Sequence, residues 1–136
     1  MGQLRDYRIF ISHAWDYNQQ YQTVINWLET APNFSFTNYS VPITKPLDVA
    51  GNRELKQRLR TRISLCNSII VLSGMYVTHS KWIDFEIDTA VNYRKPIIGV
   101  VPWGHERIPE KVSIHASTMV RWNSTSIVDA VRQYSL

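Results

Sequence analysis

Apolar residues along this chain fall into two kinds of segment that alternate. Short, nearly continuous runs appear at Tyr7 to Ser12 (YRIFIS), Asn67 to Ser73 (NSIIVLS) and Pro96 to Val101 (PIIGVV). Runs of this length read as strands buried on both faces. Pro96 stands at a strand's first position, where the missing N–H is tolerated. Phe34 to Ser40 and Thr118 to Trp122 read as two further strands, the last at an edge. Between them the apolar positions take helical spacing. One helix opens with Asp16 as N-cap, carries Tyr21, Val24, Ile25 and Leu28 on one stripe, and stops near Ala31-Pro32. A second runs from Arg53 to Leu65 with Leu55, Leu59 and Ile63 in line, a third from Lys81 to Tyr93, and a last carries Ile127, Val131 and Tyr134. Val41 to Asn52, with Pro42, Pro46 and Gly51, reads as a long loop, as does the segment from Trp103 to Ser117.

Strands alternating with helices predict an α/β fold in three layers: a parallel five-stranded sheet with helices on both faces, forming one domain over residues 1–136. In such sheets ligands bind beyond the carboxyl ends of the strands, where the strand order reverses. That places Ser12-His-Ala-Trp15 and Ser73-Gly-Met75 at the mouth of the expected site.

The third helix holds the informative exception. Each residue advances about 100° around a helix axis. On that wheel Asp84, Asp88 and Asn92 share a solvent face, but Glu86 projects between Trp82 and Ala90, with Ile83 and Tyr93 nearby. A carboxylate aimed into an apolar arc is costly unless it pairs with a base at the rim or faces a lined cavity. Both readings stand on the pattern alone. Location favours the cavity, because this helix follows the strongest strand and turns Glu86 toward the ligand-binding edge.

One carboxylate limits the chemistry. Glycoside hydrolysis ordinarily uses two. Cleaving the nicotinamide–ribose bond of NAD asks for less, since the pyridinium departs neutral without a general acid. A single anion can then stabilise the developing oxocarbenium ion electrostatically.

Composition changes the picture little. The chain has 136 residues, 44% hydrophobic and 19% charged, enough for one core of ordinary globular character. One cysteine, Cys66, excludes an internal disulfide and reads as a small buried hydrophobe. The histidines show no ligand spacing, so no metal is expected. No apolar signal core, membrane-length run or glycine-rich phosphate loop is present, and the expectation is a cytoplasmic protein that engages no membrane. The net charge of +4 gathers in Arg53 to Arg62, which reads as the solvated face of an amphipathic helix rather than a nucleic-acid stripe.

The block Cys66 to Ile87 resembles the central strand and following helix of TIR domains: an apolar strand ending in Leu-Ser, a short loop, then Ser80-x-Trp82-x-x-x-Glu86. Tyr7 to His13, with Asp16 after it, resembles the TIR first strand and its loop, and Pro96 to Val100 the fourth strand. The likeness is greatest to the bacterial TIR-like proteins of Thoeris-type antiphage defence. It implies a flavodoxin-like fold and an NAD-consuming enzyme with Glu86 as the catalytic residue. NAD is then substrate rather than cofactor, and an ADP-ribose product, cyclic or conjugated, carries the signal to a partner effector. By the same resemblance Ser12, His13 and Ala14 line the nucleotide site, Leu72 and Ser73 form its floor, and Trp82 its side. Lys45 lies on a loop that shapes the site and mediates TIR–TIR contacts between copies. Ile83 stands where the family usually has cysteine, and His13 where many TIR enzymes carry arginine. His13 reads equally well as a loop residue capping the first helix, and Trp82 as core packing. The competing function is a TIR adaptor that only binds other TIR domains. A receiver-type phosphoacceptor needs acids where this chain has Ser12, His13 and Ser73.

Overall fold

The computed structural model describes residues 5–12, 19–40, 49–73, 76–101 and 108–136, with the backbone alone for 49–52 and 76–81. Five strands are separated by helices throughout: β1 (Asp6–Ser12), α1 (Gln19–Thr30), β2 (Ser35–Asn38), α2 (Val49–Leu65), β3 (Ser68–Leu72), α3 (Tyr76–Asn92), β4 (Ile97–Val100), α4 (Glu110–His115), β5 (Thr118–Val120) and α5 (Ser124–Tyr134). The sheet order is β2-β1-β3-β4-β5, and each neighbouring pair is parallel. This is the expected three-layer α/β architecture.

The pleat divides the core. Successive side chains of a strand point to opposite faces. Phe10, Ile69, Val71 and Ile97 therefore pack with Leu55, Leu59 and Ile63 of α2, Trp82, Ile83, Ile87 and Ala90 of α3, and Val112 of α4. Ile9, Ile11, Ile70, Leu72, Ile98 and Val100 face the other way, against Val24 and Leu28 of α1 and the apolar stripe of α5. Both faces of β1, β3 and β4 are covered, which is why those strands read as continuous apolar runs. Cys66 is buried in the first layer, and burial pushes its thiol up to about 11. Arg53, Arg58 and Arg60 are exposed along α2, the solvated face its pattern predicted. No described helix is long and apolar enough to cross a membrane.

Several boundaries differ from the sequence reading. Helix α2 begins at Val49 rather than Arg53 and runs through Gly51. The first helical turn has no N–H bonds to lose, so weak helix formers cost least there. Helix α3 begins at Tyr76 rather than Lys81, over Tyr-Val-Thr, whose bulky or branched side chains mask helical character in sequence. Within the segment taken as a loop, Glu110–His115 forms α4. Its amino-terminal cap is Pro109, whose carbonyl accepts from the N–H groups of Val112 and Ser113. With Val112 as its one buried residue, α4 presents no periodicity to read. Tyr93 lies past the end of α3 and is exposed, so it is not part of the apolar arc around Glu86. Asp16, expected to cap α1, lies outside the described residues.

Candidate active site

The strand order reverses between β1 and β3, the switch point of this sheet. Ser12 closes β1, and Ser73 follows directly on β3. By the alternation that sends Phe10, Ile69 and Val71 toward α2 and α3, both serines fall on the α3 side of the sheet. The end of β1 is held firmly. It pairs with β3 through Ser12 and Val71, and on its other side the Ile11 N–H donates to Ser40 Oγ at 2.8 Å.

Helix α3 carries Glu86 into this corner. Trp82, Ile83, Ile87 and Ala90 around it are all buried, and Glu86 itself is 1% exposed. Its carboxyl meets β1: Ser12 Oγ, itself 0% exposed, donates to Glu86 Oε1 at 2.5 Å. No basic side chain of the described residues reaches it. On the outer face of the same helix Lys111 Nζ pairs with Asp88 Oδ1 at 2.6 Å. Lys56 and Arg60, approaching from α2, lie over the Phe85 ring at 5.6 and 5.3 Å from its centroid. The rim ion pair that would have made Glu86 structural is not formed by any described residue.

Its surroundings set its proton affinity. Burial pushes the Glu86 carboxyl up to about 8, and the Ser12 hydrogen bond pulls it partway back. Burial thus favours the neutral acid over the carboxylate. Any positive charge arriving beside it would favour ionisation, so the group is suited to respond to a cationic ligand or transition state. Among the described residues Glu86 is the one buried ionisable carboxyl, so no second acid is at hand for a two-carboxylate mechanism.

Ser73 supplies the other polar atom. It is 2% exposed, and its Oγ has no hydrogen-bond partner among the described residues. Buried hydroxyls are rarely left in that state, and a ligand is one common reason for it.

The remaining expected residues are placed as follows. Leu72 sends its side chain into the opposite layer, against α1 and α5, and so does not stand beside Ser73. Trp82 is 9% exposed, belongs to the core on the α3 side, and meets Phe85 edge-on at 6.4 Å. It thus forms an apolar wall one turn from Glu86. His13, Ala14 and Lys45 lie outside the described residues. An open cavity of about 350 Å³ lies in the other layer, where Gln19, Gln20 and Thr23 meet Trp122; Glu86 is not among its lining residues. The Ser12–Glu86 pair is what sequence reasoning missed. The two residues are 74 positions apart, and no local pattern links them.

A family model for the TIR-like domain of the Thoeris protein ThsB matches residues 10–107, the span that contains the end of β1, all of β3 and α3, and every site residue named above. The chain belongs to the Thoeris ThsB TIR-like family. No curated protein matches it by sequence. Among solved structures it is similar to a CMP N-glycosidase, BcmB, of Clostridium botulinum, with a TM-score of 0.56 and 14% identity over 92% of this chain and 98% of that one. It is also similar to a 3-dehydroquinate dehydratase-like protein from Bifidobacterium longum, with a TM-score of 0.54 and 7% identity over 95% of this chain and 94% of that one. At these identities the likeness is one of fold. In this TIR-like domain Glu86 and the first-strand Ser12 form a single hydrogen-bonded unit.

Proposed function

We propose that this TIR-like domain is an NAD-consuming enzyme that breaks the nicotinamide–ribose bond, with Glu86 as the catalytic residue. The observation that carries this reading is a buried carboxyl at the switch point whose described polar partner is a serine rather than a base. NAD brings a cationic pyridinium to the site. Its charge lowers the proton affinity of Glu86, and the resulting anion lies ready to stabilise the oxocarbenium ion as nicotinamide leaves neutral. Trp82 and its apolar neighbours keep the local dielectric low, which strengthens that interaction. The cation is then taken by water or by a nucleophile of the same molecule, giving ADP-ribose or a cyclic isomer. Membership of a Thoeris family supports a signalling role for that product in antiphage defence, in the cytoplasm, through an effector that binds it, with copies of the domain assembling through TIR–TIR contacts.

The fold shared with a CMP N-glycosidase favours one competing substrate class, a pyrimidine nucleotide. Incubation with NAD and, separately, with CMP, followed by mass spectrometry of wild type and Glu86→Gln, separates the readings. Nicotinamide released by wild type alone is the expected result. Free cytosine from CMP moves the assignment to nucleotide hydrolysis. Equal release of nicotinamide by both proteins overturns the role of Glu86, and release by neither favours the adaptor.

A further inference from the structure

The two serines at the switch point are not equivalent. A hydroxyl has one proton to donate. That of Ser12 goes to Glu86 Oε1, whereas the Ser73 Oγ is buried with no partner among the described residues. Ser12 is also fully enclosed, and its backbone is held by pairing with Val71 of β3 and by the bond from the neighbouring Ile11 N–H to Ser40 Oγ. A glutamate side chain has three rotatable bonds, and a carboxyl useful for electrostatic stabilisation must be held within a fraction of an ångström of its working position. We propose that Ser12 is a positioning residue that holds the Glu86 carboxyl against the end of β1, rather than a contact to the substrate. Any ligand reaching this corner then finds its free serine hydroxyl at Ser73.

No other described group shares the task. From α2, Lys56 and Arg60 are turned over Phe85, and Arg62 donates to the carbonyls of Asn38 and Tyr39. From α4, Lys111 is paired with Asp88. On the face of β1 toward α3, Phe10 lies between Ser12 and the exposed Arg8 and Asp6 at the start of the strand, neither of which contributes to the shift of Glu86, and β3 carries Ile69 and Val71 there. Along α3 itself, Asp84 is half-buried and Asp88 exposed, and neither contributes to the shift of Glu86, which comes from burial opposed by Ser12. Removing the Ser12 hydroxyl should therefore raise the proton affinity of Glu86.

The inference rests on Glu86 being the catalytic group, but its test needs no substrate. Glutamate labelled with ¹³C at the carboxyl gives a signal for Glu86, identified by its loss in Glu86→Gln, whose midpoint is followed with pH. Ser12→Ala should raise that midpoint by about one pH unit, the effect of losing one hydrogen bond to the charged form. Ser12→Cys, similar in size and a weaker donor, should give a smaller rise, and it stands in if the alanine variant fails to fold. Ser73→Ala should leave the midpoint in place. In a working enzyme Ser12→Ala should also move the pH profile of kcat/KM toward alkali. A midpoint unmoved in both Ser12 variants, or moved as far in Ser73→Ala, overturns the assignment. A midpoint that moves in a protein releasing no nicotinamide upholds Ser12 as the holder of Glu86 and removes only the NAD reading.

Discussion

Ser12 and Ser73 end neighbouring strands on the same face of the sheet, yet only the Ser12 hydroxyl is engaged, by Glu86. The pair of strands thus presents one occupied and one open hydrogen-bonding group to whatever enters between them. A buried acid, a serine that holds it and a serine left free make an asymmetric corner, and that asymmetry sets measurable expectations.

The stability of the protein should fall as pH rises. Glu86 in the fold titrates at about 8, against 4.5 for an ordinary glutamate. The folded chain binds this proton more tightly than the unfolded chain does. Its contribution is fully present below about pH 4.5 and is lost as pH climbs through 8. Each pH unit of that difference is worth about 1.4 kcal/mol, so the loss amounts to a few kcal/mol. Glu86→Gln cannot ionise and should be more stable than wild type at pH 9, with little difference at pH 4. Urea unfolding at the two pH values checks this.

Activity should run the other way. If Glu86 must be ionised to stabilise an oxocarbenium ion, kcat/KM for nicotinamide release rises with pH and levels off near 8, the value set by burial in the free enzyme. The cationic pyridinium of bound NAD lowers the proton affinity of Glu86, so the kcat profile should level off at lower pH. In Glu86→Gln the rate should drop on the order of 10²-fold or more. Steady-state rates across pH 5 to about 9 test both statements.

Gly99 on β4 should resist enlargement. A Cβ there would collide with the Sδ of Met119, its register partner on β5, and stand 3.1 Å from the Cγ1 of buried Val112. Gly99→Ala should cost about 1–3 kcal/mol by overpacking. Because the closest atom is the end of a flexible side chain, Met119→Ala in the same protein should cost less than the sum of the two single changes. Thermal or urea unfolding of the four proteins gives the coupling.

Helix α5 should depend on its cap. Asn123 is extended, and its side-chain Oδ1 accepts from the Ser126 N–H at 2.8 Å. Asn123→Ala should destabilise the protein by about 1 kcal/mol and Asn123→Ser by much less. In contrast, Lys111→Ala should change stability by less than about 1 kcal/mol, since its partner Asp88 is largely in water.

Local pattern carried much of this molecule. The runs at β1, β3 and β4 were legible because strands covered on both faces need apolar side chains in succession. The stripe of Leu55, Leu59 and Ile63 was legible because a helix against a sheet must bury one face. Glu86 stood out for the same reason, as the one acid within the buried arc of its helix. Helix α4 was not legible, since six residues with a single buried side chain leave no period, and the first turns of α2 and α3 were hidden by glycine, aromatic and branched residues.

By itself, then, the amino-acid sequence determined the five strands and the four longer helices, which side of each faces inward, and that one carboxyl is aimed the wrong way for solvent. These are properties of side chains a few positions apart, and covalent spacing encodes them directly. Only the tertiary structure decided that β1 lies beside β3, that Ser12 therefore meets Glu86, that Leu72 turns to the opposite layer and that Ser73 is left without a partner. Those outcomes depend on which distant segments pack together, and the hydroxyl of a serine carries no mark in sequence of the group it will meet.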